Sequence, residues 1–404
     1  MHSKSWQNLA IAAVLVIYLI QLWVEHYRLF WFFGADFTAY WSAGHIANQW
    51  GYINIYDIDL VTKIEHFMRT GSYVSDITFS HLPMPYLPIL VLPFQLIALF
   101  TPATGFYIWF FINLFVGASY LSFFTKNIVH PHKKTILALF ILSFPFFQNL
   151  FWGQINLILM ISLGEFIRAT ENDKEVQAGM WLSLLILKPQ SIVFIVPALF
   201  LARKMKPLFG LAIGTALLLG ISLLLTGIEG IRKMLDLWFG LANTIPATVP
   251  EAMGNWRMVG VFINHLSNSN FGTYLSITLS LLTIVGCGYL WITTFKLLKK
   301  HFYIVILNIF AATGIATWHS HVHMAVILIP VLLALSLEGT LPQKILSLWV
   351  FLPPAFYLSG LILMIFVKDH IYQGVLYGPA QLILYLLLLV WSTQKLLYFK
   401  NTAN

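Results

Sequence analysis

Charge is nearly absent from this chain. Only 9% of its 404 residues are Asp, Glu, Lys or Arg, while 59% are apolar and 16% aromatic. That balance excludes a soluble globular surface. Cysteine is as scarce: Cys287 stands alone, so neither an internal disulfide framework nor a cysteine-based zinc site can be built, and it reads as a small apolar filler inside a span. Acids are fewer than bases, 15 against 23, for a net charge of +8. In a soluble protein that excess would point to nucleic acid. Here Lys and Arg gather at the ends of apolar stretches, which is the ordinary bias of membrane topology, and no nucleic-acid partner is expected. A Gly-rich phosphate loop is missing too, and with it any soluble nucleotide-binding module.

What is present is a series of uncharged apolar runs, each long enough to cross a hydrocarbon core of about 30 Å. The runs are continuous rather than alternating, so the spans are helices and not barrel strands. The expectation is an all-α, multi-pass membrane protein forming a single membrane domain over 1–404. About twelve spans are expected, at 8–29, 86–101, 104–125, 135–150, 153–170, 177–200, 207–226, 272–297, 302–318, 322–338, 344–367 and 374–394. No small-residue cleavage site follows the first, which therefore reads as a retained span and not a signal peptide. With Lys4 in the cytoplasm, strict alternation also places RKMK (203–206), KLLKKH (296–301), Lys395 and Lys400 there. KNIVHPHKK (126–134) falls on the opposite side by the same count, a conflict that a half-length or re-entrant span between 86 and 170 would remove.

This topology puts three informative segments on the extracytoplasmic face. The first loop, 30–85, is far longer than an ordinary connection, and loops of that length tend to be functional. Within it Leu60, Val61, Ile64, Phe67 and Met68 recur at helical spacing opposite Asp57, Asp59, Lys63, Glu65 and Arg69, the pattern of a helix lying in the interface plane. The second segment, 227–271, contains GIEGIRKMLDLWFG and GNWRMVGVFINH, and the third is WHSHVH at 318–323.

Several stretches, in order, resemble glycosyltransferase family 87: Asp36 with Tyr40 after the first span, MPYLPILVLPF (84–94), FWGQINLILM (151–160), LLILKPQSIVFIVP (184–197), GNWRMVG (254–260) and WHSH (318–321). The resemblance spans roughly 30–330. It implies a GT-C-like membrane fold and a polyprenyl-phosphate-sugar-dependent transferase, most often a mannosyltransferase, with Asp36 as the catalytic residue and Tyr40 and Asn255 at the substrate. Three positions differ from the family pattern: Tyr-Pro-Pro is Tyr86-Leu87-Pro88, Asn-Gln-Ser is Asn255-Trp256-Arg257, and Ser320 splits the paired histidines. These bear on the sugar and the acceptor rather than on the reaction class.

The residues support the same chemistry without the family. Displacement at an anomeric carbon needs a base for the incoming hydroxyl, and Asp36 is a carboxylate on the right face. A phosphate leaving group needs no protonating acid, so one base plus cationic and hydrogen-bonding groups is expected instead of a carboxylate pair. Arg257, His319 and His321 supply that mixture. Asp36 has a second reading, as the N-cap of a helix starting at Phe37. Lys188, an ammonium within an apolar span, either holds the site or the lipid phosphate, or snorkels near a helix break at Pro189. Arg257 reads as a phosphate clamp or as a solvated loop arginine. Gln154 and Asn156 read as helix-bridging amides, with Gln154 also a sugar-ligand candidate. His319 and His323 stand four residues apart, the spacing of a helical metal pair, but with no acid or cysteine clustered beside them no metal and no cofactor is expected. The resulting expectation is an inverting hexosyltransferase of the plasma membrane. It would use a polyprenyl-phosphate sugar donor, a glycan or glycolipid acceptor and an extracytoplasmic site, and act in envelope glycan or glycolipid synthesis among membrane lipids. The alternatives are a lipid-linked sugar flippase or other transporter, and a non-catalytic assembly partner.

Overall fold

Apolar sequence with few backbone partners available to it satisfies its N–H and C=O groups internally, and the chain does so as helix. The structure, a computed structural model, describes residues 2–29, 35–70, 84–244, 249–294, 301–367 and 376–402. Its α-helices are α1 (His2–Leu29), α2 (Ala35–Trp50), α3 (Ile58–Thr70), α4 (Val91–Ile97), α5 (Pro102–Phe124), α6 (Lys133–Ile141), α7 (Phe144–Phe151), α8 (Asn156–Glu171) and α9 (Glu175–Leu182). They continue with α10 (Ile195–Leu201), α11 (Met205–Thr244), α12 (Trp256–Ser267), α13 (Phe271–Thr294), α14 (Phe302–Ala316), α15 (Ile329–Leu337), α16 (Gln343–Phe366) and α17 (Gly378–Thr402). Short 3-10 turns join several of them, and the described residues contain no strand beyond an isolated bridge between Met253 and His321. The all-α class holds.

Five helices, α5, α11 up to Gly240, α13, α16 and α17, are long and apolar enough to cross a membrane, or six if α6 and α7, bent by 44°, form one span. The protein is a multi-pass membrane protein. The other expected spans are shorter apolar helices, and two of them differ in kind from the expectation. Residues 86–101 hold only the 3-10 turn Pro88–Leu90 and the two turns of α4, a helical stretch that begins at Pro88 and ends at Ile97, shorter than a span. Residues 177–200 form a hairpin. Its base is closed by the ion pair of Glu175 with Lys204 (3.0 Å), and the chain reverses at Lys188, φ −130° and ψ 89°, just before Pro189. α9 packs against α11 through glycine: a Cβ on Gly210 would lie 2.0 Å from the Val176 carbonyl oxygen.

These two departures resolve the charge conflict. The Arg168 guanidinium carbon lies 4.1 Å, and Lys126 Nζ 4.7 Å, from the centre of the Phe123 ring. Tyr303 donates to Glu171 (2.5 Å), and His301 stacks on Phe399 at 3.6 Å. Residues 126–134, 203–206 and the C-terminal lysine-bearing helix therefore gather at one end of the helices. Without a crossing at 86–101, and with the hairpin returning to the end it left, alternation puts 126–134 beside the other basic clusters. Residues 295–300, and with them most of KLLKKH, lie outside the described residues, as does 71–83 of the first loop.

The expected interfacial helix is α3, but its buried face differs from the expected one. Val61 and Ile64 are buried, and Glu65 and His66, read as polar-face or unassigned, are buried with them against the protein. Gly227, φ 67°, breaks α11 at the start of 227–271, most of whose described residues are helical.

With Cys287 replaced by serine, cysteines placed singly at the exposed positions Val129 and Met205 should react with a membrane-impermeant maleimide from one side, and one at Ile53 from the other. Labelling of Val129→Cys and Met205→Cys from opposite sides would refute this path of the chain.

Candidate active site

Three places where the chain leaves regular helix come together: 152–155 between α7 and α8, the hairpin tip at Lys188, and 317–321 between α14 and the 3-10 segment Val322–Leu328. Interrupted backbone inside an apolar protein leaves polar groups needing partners, and here neighbouring segments supply them. Gly153, φ 66°, turns the chain so that the Trp152 carbonyl accepts from Phe37 N–H at 3.1 Å and the Gly153 carbonyl from Trp109 Nε1 at 2.8 Å. A Cβ at Gly153 would sit 2.5 Å from Phe37 Cβ, so only glycine lets α2 approach this turn.

That approach sets Asp36 and Gln154 together. Asp36, half-buried in the first turn of α2, accepts from Gln154 Nε2 at 2.5 Å. It lies inside the helix rather than capping a segment that begins at Phe37. Gln154 Oε1 accepts from Lys188 Nζ at 2.6 Å and from Tyr40 OH at 3.2 Å. Lys188 is 2% exposed, so it does not snorkel, and its Nζ lies 5.5 Å from the centre of the Tyr86 ring, which stacks on Tyr40 at 5.9 Å. Burial lifts the Asp36 carboxyl above the ordinary carboxylate range, while the charge on Lys188 and the Gln154 hydrogen bond pull it back down.

The second wall is 253–257 paired with 317–321. Gly254 N–H donates to the Ser320 carbonyl (2.8 Å), and Asn255 Nδ2 donates to the Thr317 carbonyl (2.8 Å) while its Oδ1 caps α12 at Met258 N–H (3.3 Å). Both ends of the Asn255 amide are thus used to position the loop. Its wholly buried side chain places Arg257, whose Nη1 donates to the Trp318 carbonyl at 3.5 Å and whose guanidinium carbon lies 4.5 Å from the centre of the Trp318 ring. His319 and His321 are half-buried, with ring centres 4.7 Å apart. His319 is held well below the ordinary histidine range by burial first, and then by His321, Lys188 and Arg257. It is therefore a neutral hydrogen-bonding imidazole rather than a cation. The two walls are linked through Asn156 Nδ2, which donates to the His323 carbonyl at 3.2 Å.

Asp36, Tyr40, Gln154 and Lys188 form one bonded group, and Arg257, Asn255, His319 and His321 form the wall joined to it. His319 and His323 do not share an α-helical face, because 317–321 is not helical. Tyr86 was not among the expected site residues, although it belongs to the Tyr86-Leu87-Pro88 stretch. The signal that could have found it is an aromatic next to a proline turn, at the end of the long first loop that also carries Asp36. Also unforeseen is a chain of amides beneath the site, in which Trp152 Nε1 donates to Gln148 Oε1 (2.8 Å) and Gln148 Nε2 to Gln21 Oε1 (2.8 Å).

Gly153→Ala must force a side chain into the left-handed region and displace α2, and should cost on the order of 2 kcal/mol or more. Gly286→Ala, with open space around its Cβ, serves as the control. Thermal unfolding in detergent should show a clear loss for the first and none for the second. Equal melting temperatures would mean that the turn is not held as described.

No curated protein matches the chain, and no solved structure does. Residues 85–313 match the family model of glycosyltransferase family 87. The matched region includes Tyr86, Gln154, Lys188, Asn255 and Arg257, and leaves Asp36, Tyr40, His319 and His321 outside it. A match over more than half of a multi-pass helical chain identifies this protein as a member of glycosyltransferase family 87, a membrane glycosyltransferase.

Proposed function

We propose that this enzyme takes a hexose, mannose being the first candidate, from a polyprenyl phosphate carrier and transfers it with inversion to a glycan or glycolipid acceptor. The transfer takes place on the extracytoplasmic face of the plasma membrane, in envelope synthesis. The observation that carries the reading is the carboxylate Asp36, held by Gln154 with Lys188 on the same amide, beside a second wall that bears Arg257, His319 and His321 and is linked through Asn156 to the His323 backbone. Asp36 takes the proton of the acceptor hydroxyl as the new oxygen–carbon bond forms. The carbon–oxygen bond to the carrier breaks and its electron pair leaves with the phosphate. That phosphate is a weak base, so no acid is required, and Arg257 with a histidine hydrogen bond stabilises its charge. Gln154, itself held by Lys188 and Tyr40, holds the base, and the Tyr86 ring closes that side.

The run of the helices supports this side of the membrane. α8 leads from the site at Asn156 to the basic end at Glu171, and α14 leads from His301 back to the site, each about 24 Å long by its helical rise. The site thus stands at the end opposite the basic clusters, which the positive-inside bias assigns to the cytoplasm. Cytoplasmic nucleotide sugars would not reach it. Chains broken at Lys188 and at 317–321 are also a feature of transporters, whose sites lie between broken helices. The alternative reading is therefore a flippase for a lipid-linked sugar.

Purified protein incubated in detergent or lipid with a panel of polyprenyl-phosphate sugars should transfer or hydrolyse one of them. Flipping of a labelled carrier in vesicles, with no turnover anywhere in the panel, would favour the transporter. Asp36→Asn should lower transfer by two or more orders of magnitude while donor binding and melting stay near wild type, since Asn keeps the shape but cannot accept the proton. Near-normal transfer by that variant would remove Asp36 as the base. Arg257→Ala should cost on the order of a hundredfold in turnover, with a smaller effect on donor binding, because the charge it meets grows in the transition state. Activity should also fall as the pH drops through a midpoint above the ordinary Asp value of about 3.9, the raised position of the Asp36 carboxyl. A pH–rate profile with no acid limb above that value would contradict it.

A further inference from the structure

The Gln154 amide lies between a carboxylate and an ammonium that form no direct ion pair with each other. Its Nε2 faces Asp36 Oδ2 at 2.5 Å and its Oε1 faces Lys188 Nζ at 2.6 Å, with Tyr40 OH as a second donor to the same oxygen at 3.2 Å. With Lys188 as an ammonium and Asp36 as a carboxylate only this orientation of the amide serves both, because an ammonium has no acceptor to offer and a carboxylate no donor. Accepting from an ammonium and donating to a carboxylate both draw on the charge-separated form of the amide. Each bond strengthens the other, and more so in an apolar setting. Gln154 itself is 3% exposed, so water does not compete for either bond.

We propose that Gln154 is a positioning residue for the glycosyl transfer, and that its amide carries the positive charge of Lys188 to Asp36, holding that carboxylate ionised by Oδ2 and leaving Oδ1 for the acceptor hydroxyl. The proposal rests on the reading of Asp36 as the base. A direct lysine–aspartate pair would serve the reaction less well, since it would put the full charge on the oxygen that must take a proton. The amide delivers part of that charge and keeps the two groups apart. Among the described residues, the charged and titratable groups around Asp36 are Lys188 from the hairpin tip, Tyr40 from its own helix and Tyr86 from the segment before α4. His319 and His323 face Lys188 from the other wall. Gln154 is the member of this group that touches both charges.

The test reads Asp36 without a substrate. A carbodiimide attacks a carboxyl in its protonated form, so labelling of the Asp36 peptide, followed by mass spectrometry against pH on the full chain in detergent, gives the midpoint at which Asp36 ionises. Gln154→Met keeps the length and loses both bonds. Gln154→Asn keeps the amide but falls one methylene short of spanning the two groups. Each should move the midpoint upward by about one pH unit or more, and the acid limb of the transfer rate should move with it. Lys188→Met should raise the midpoint as well, and that rise should shrink by at least half when Gln154→Met is already present, because the path for the charge is then broken. An unmoved midpoint in whichever glutamine variants fold, or an undiminished Lys188→Met shift in the double variant, would overturn the proposal. Should Asp36→Asn transfer sugar normally while these midpoints move as stated, the role of Asp36 as base fails and the charge path stands. A midpoint that fails to move beside an inactive Asp36→Asn means the reverse: Asp36 remains the base and the charge path fails.

Discussion

An ammonium group inside an apolar helical protein must be paired, and the arrangement of this molecule turns on how Lys188 is paired. Leaving such a charge unpaired in low dielectric would cost several kcal/mol. The chain meets the requirement by breaking its helices. The hairpin closed by Glu175 and Lys204 carries Lys188 at its tip, and the Gly153 turn aims Gln154 at it. The positive φ at Gly153 carries no side-chain cost, and that turn lets α2 come close enough for Asp36 to complete the bridge. A turn open only to glycine and a buried charge are thus tied together at one point.

The same breaks order the molecule along the helices. Because the hairpin returns to the end from which it left, and because the short 86–101 stretch does not cross, the basic clusters 126–134 and 203–206 and the C-terminal lysines fall at one end and the polar walls of the site at the other. The separation sets Arg257 and the neutral His319 apart from the lysines at span ends. Arg257 is held on Trp318 by stacking and by a backbone carbonyl, and its position is fixed in turn by Asn255, whose amide is consumed in fastening α12 to the end of α14. Neutral His319 and charged Arg257 side by side give the second wall one cation and one adaptable hydrogen-bonding partner, a division suited to a leaving phosphate.

The residues that matter were largely visible one at a time. Asp36 is an acid in an aromatic run, Lys188 a cation in an apolar run, and WHSHVH a dense histidine stretch, each improbable in lipid unless employed. Their grouping was not visible. The i, i+4 spacing of His319 and His323 suggested a shared helical face, yet the chain there is extended, because 317–321 spends its backbone groups on 253–255. Glu65 read as a polar-face residue and is buried, since α3 lies against α2 with two faces covered rather than one.

Composition and the length of the apolar runs determined by themselves that this is an all-helical, multi-pass membrane protein, because backbone in lipid satisfies its hydrogen bonds only as helix or closed barrel and these runs lack the alternation of barrel strands. The order of a few short stretches marked the family. The sequence could not determine which apolar runs cross and which turn back. A run broken by Lys-Pro or by two prolines has the hydropathy of a span, and only the closing contact between Glu175 and Lys204 distinguishes a hairpin from a crossing. Nor could it reveal that Gln154 bridges Asp36 and Lys188, residues 118 and 34 positions away from it. A buried amide is equally at home bridging two helices, and its partners are chosen by the packing of α2 on a glycine turn, a contact between distant segments that no local pattern encodes.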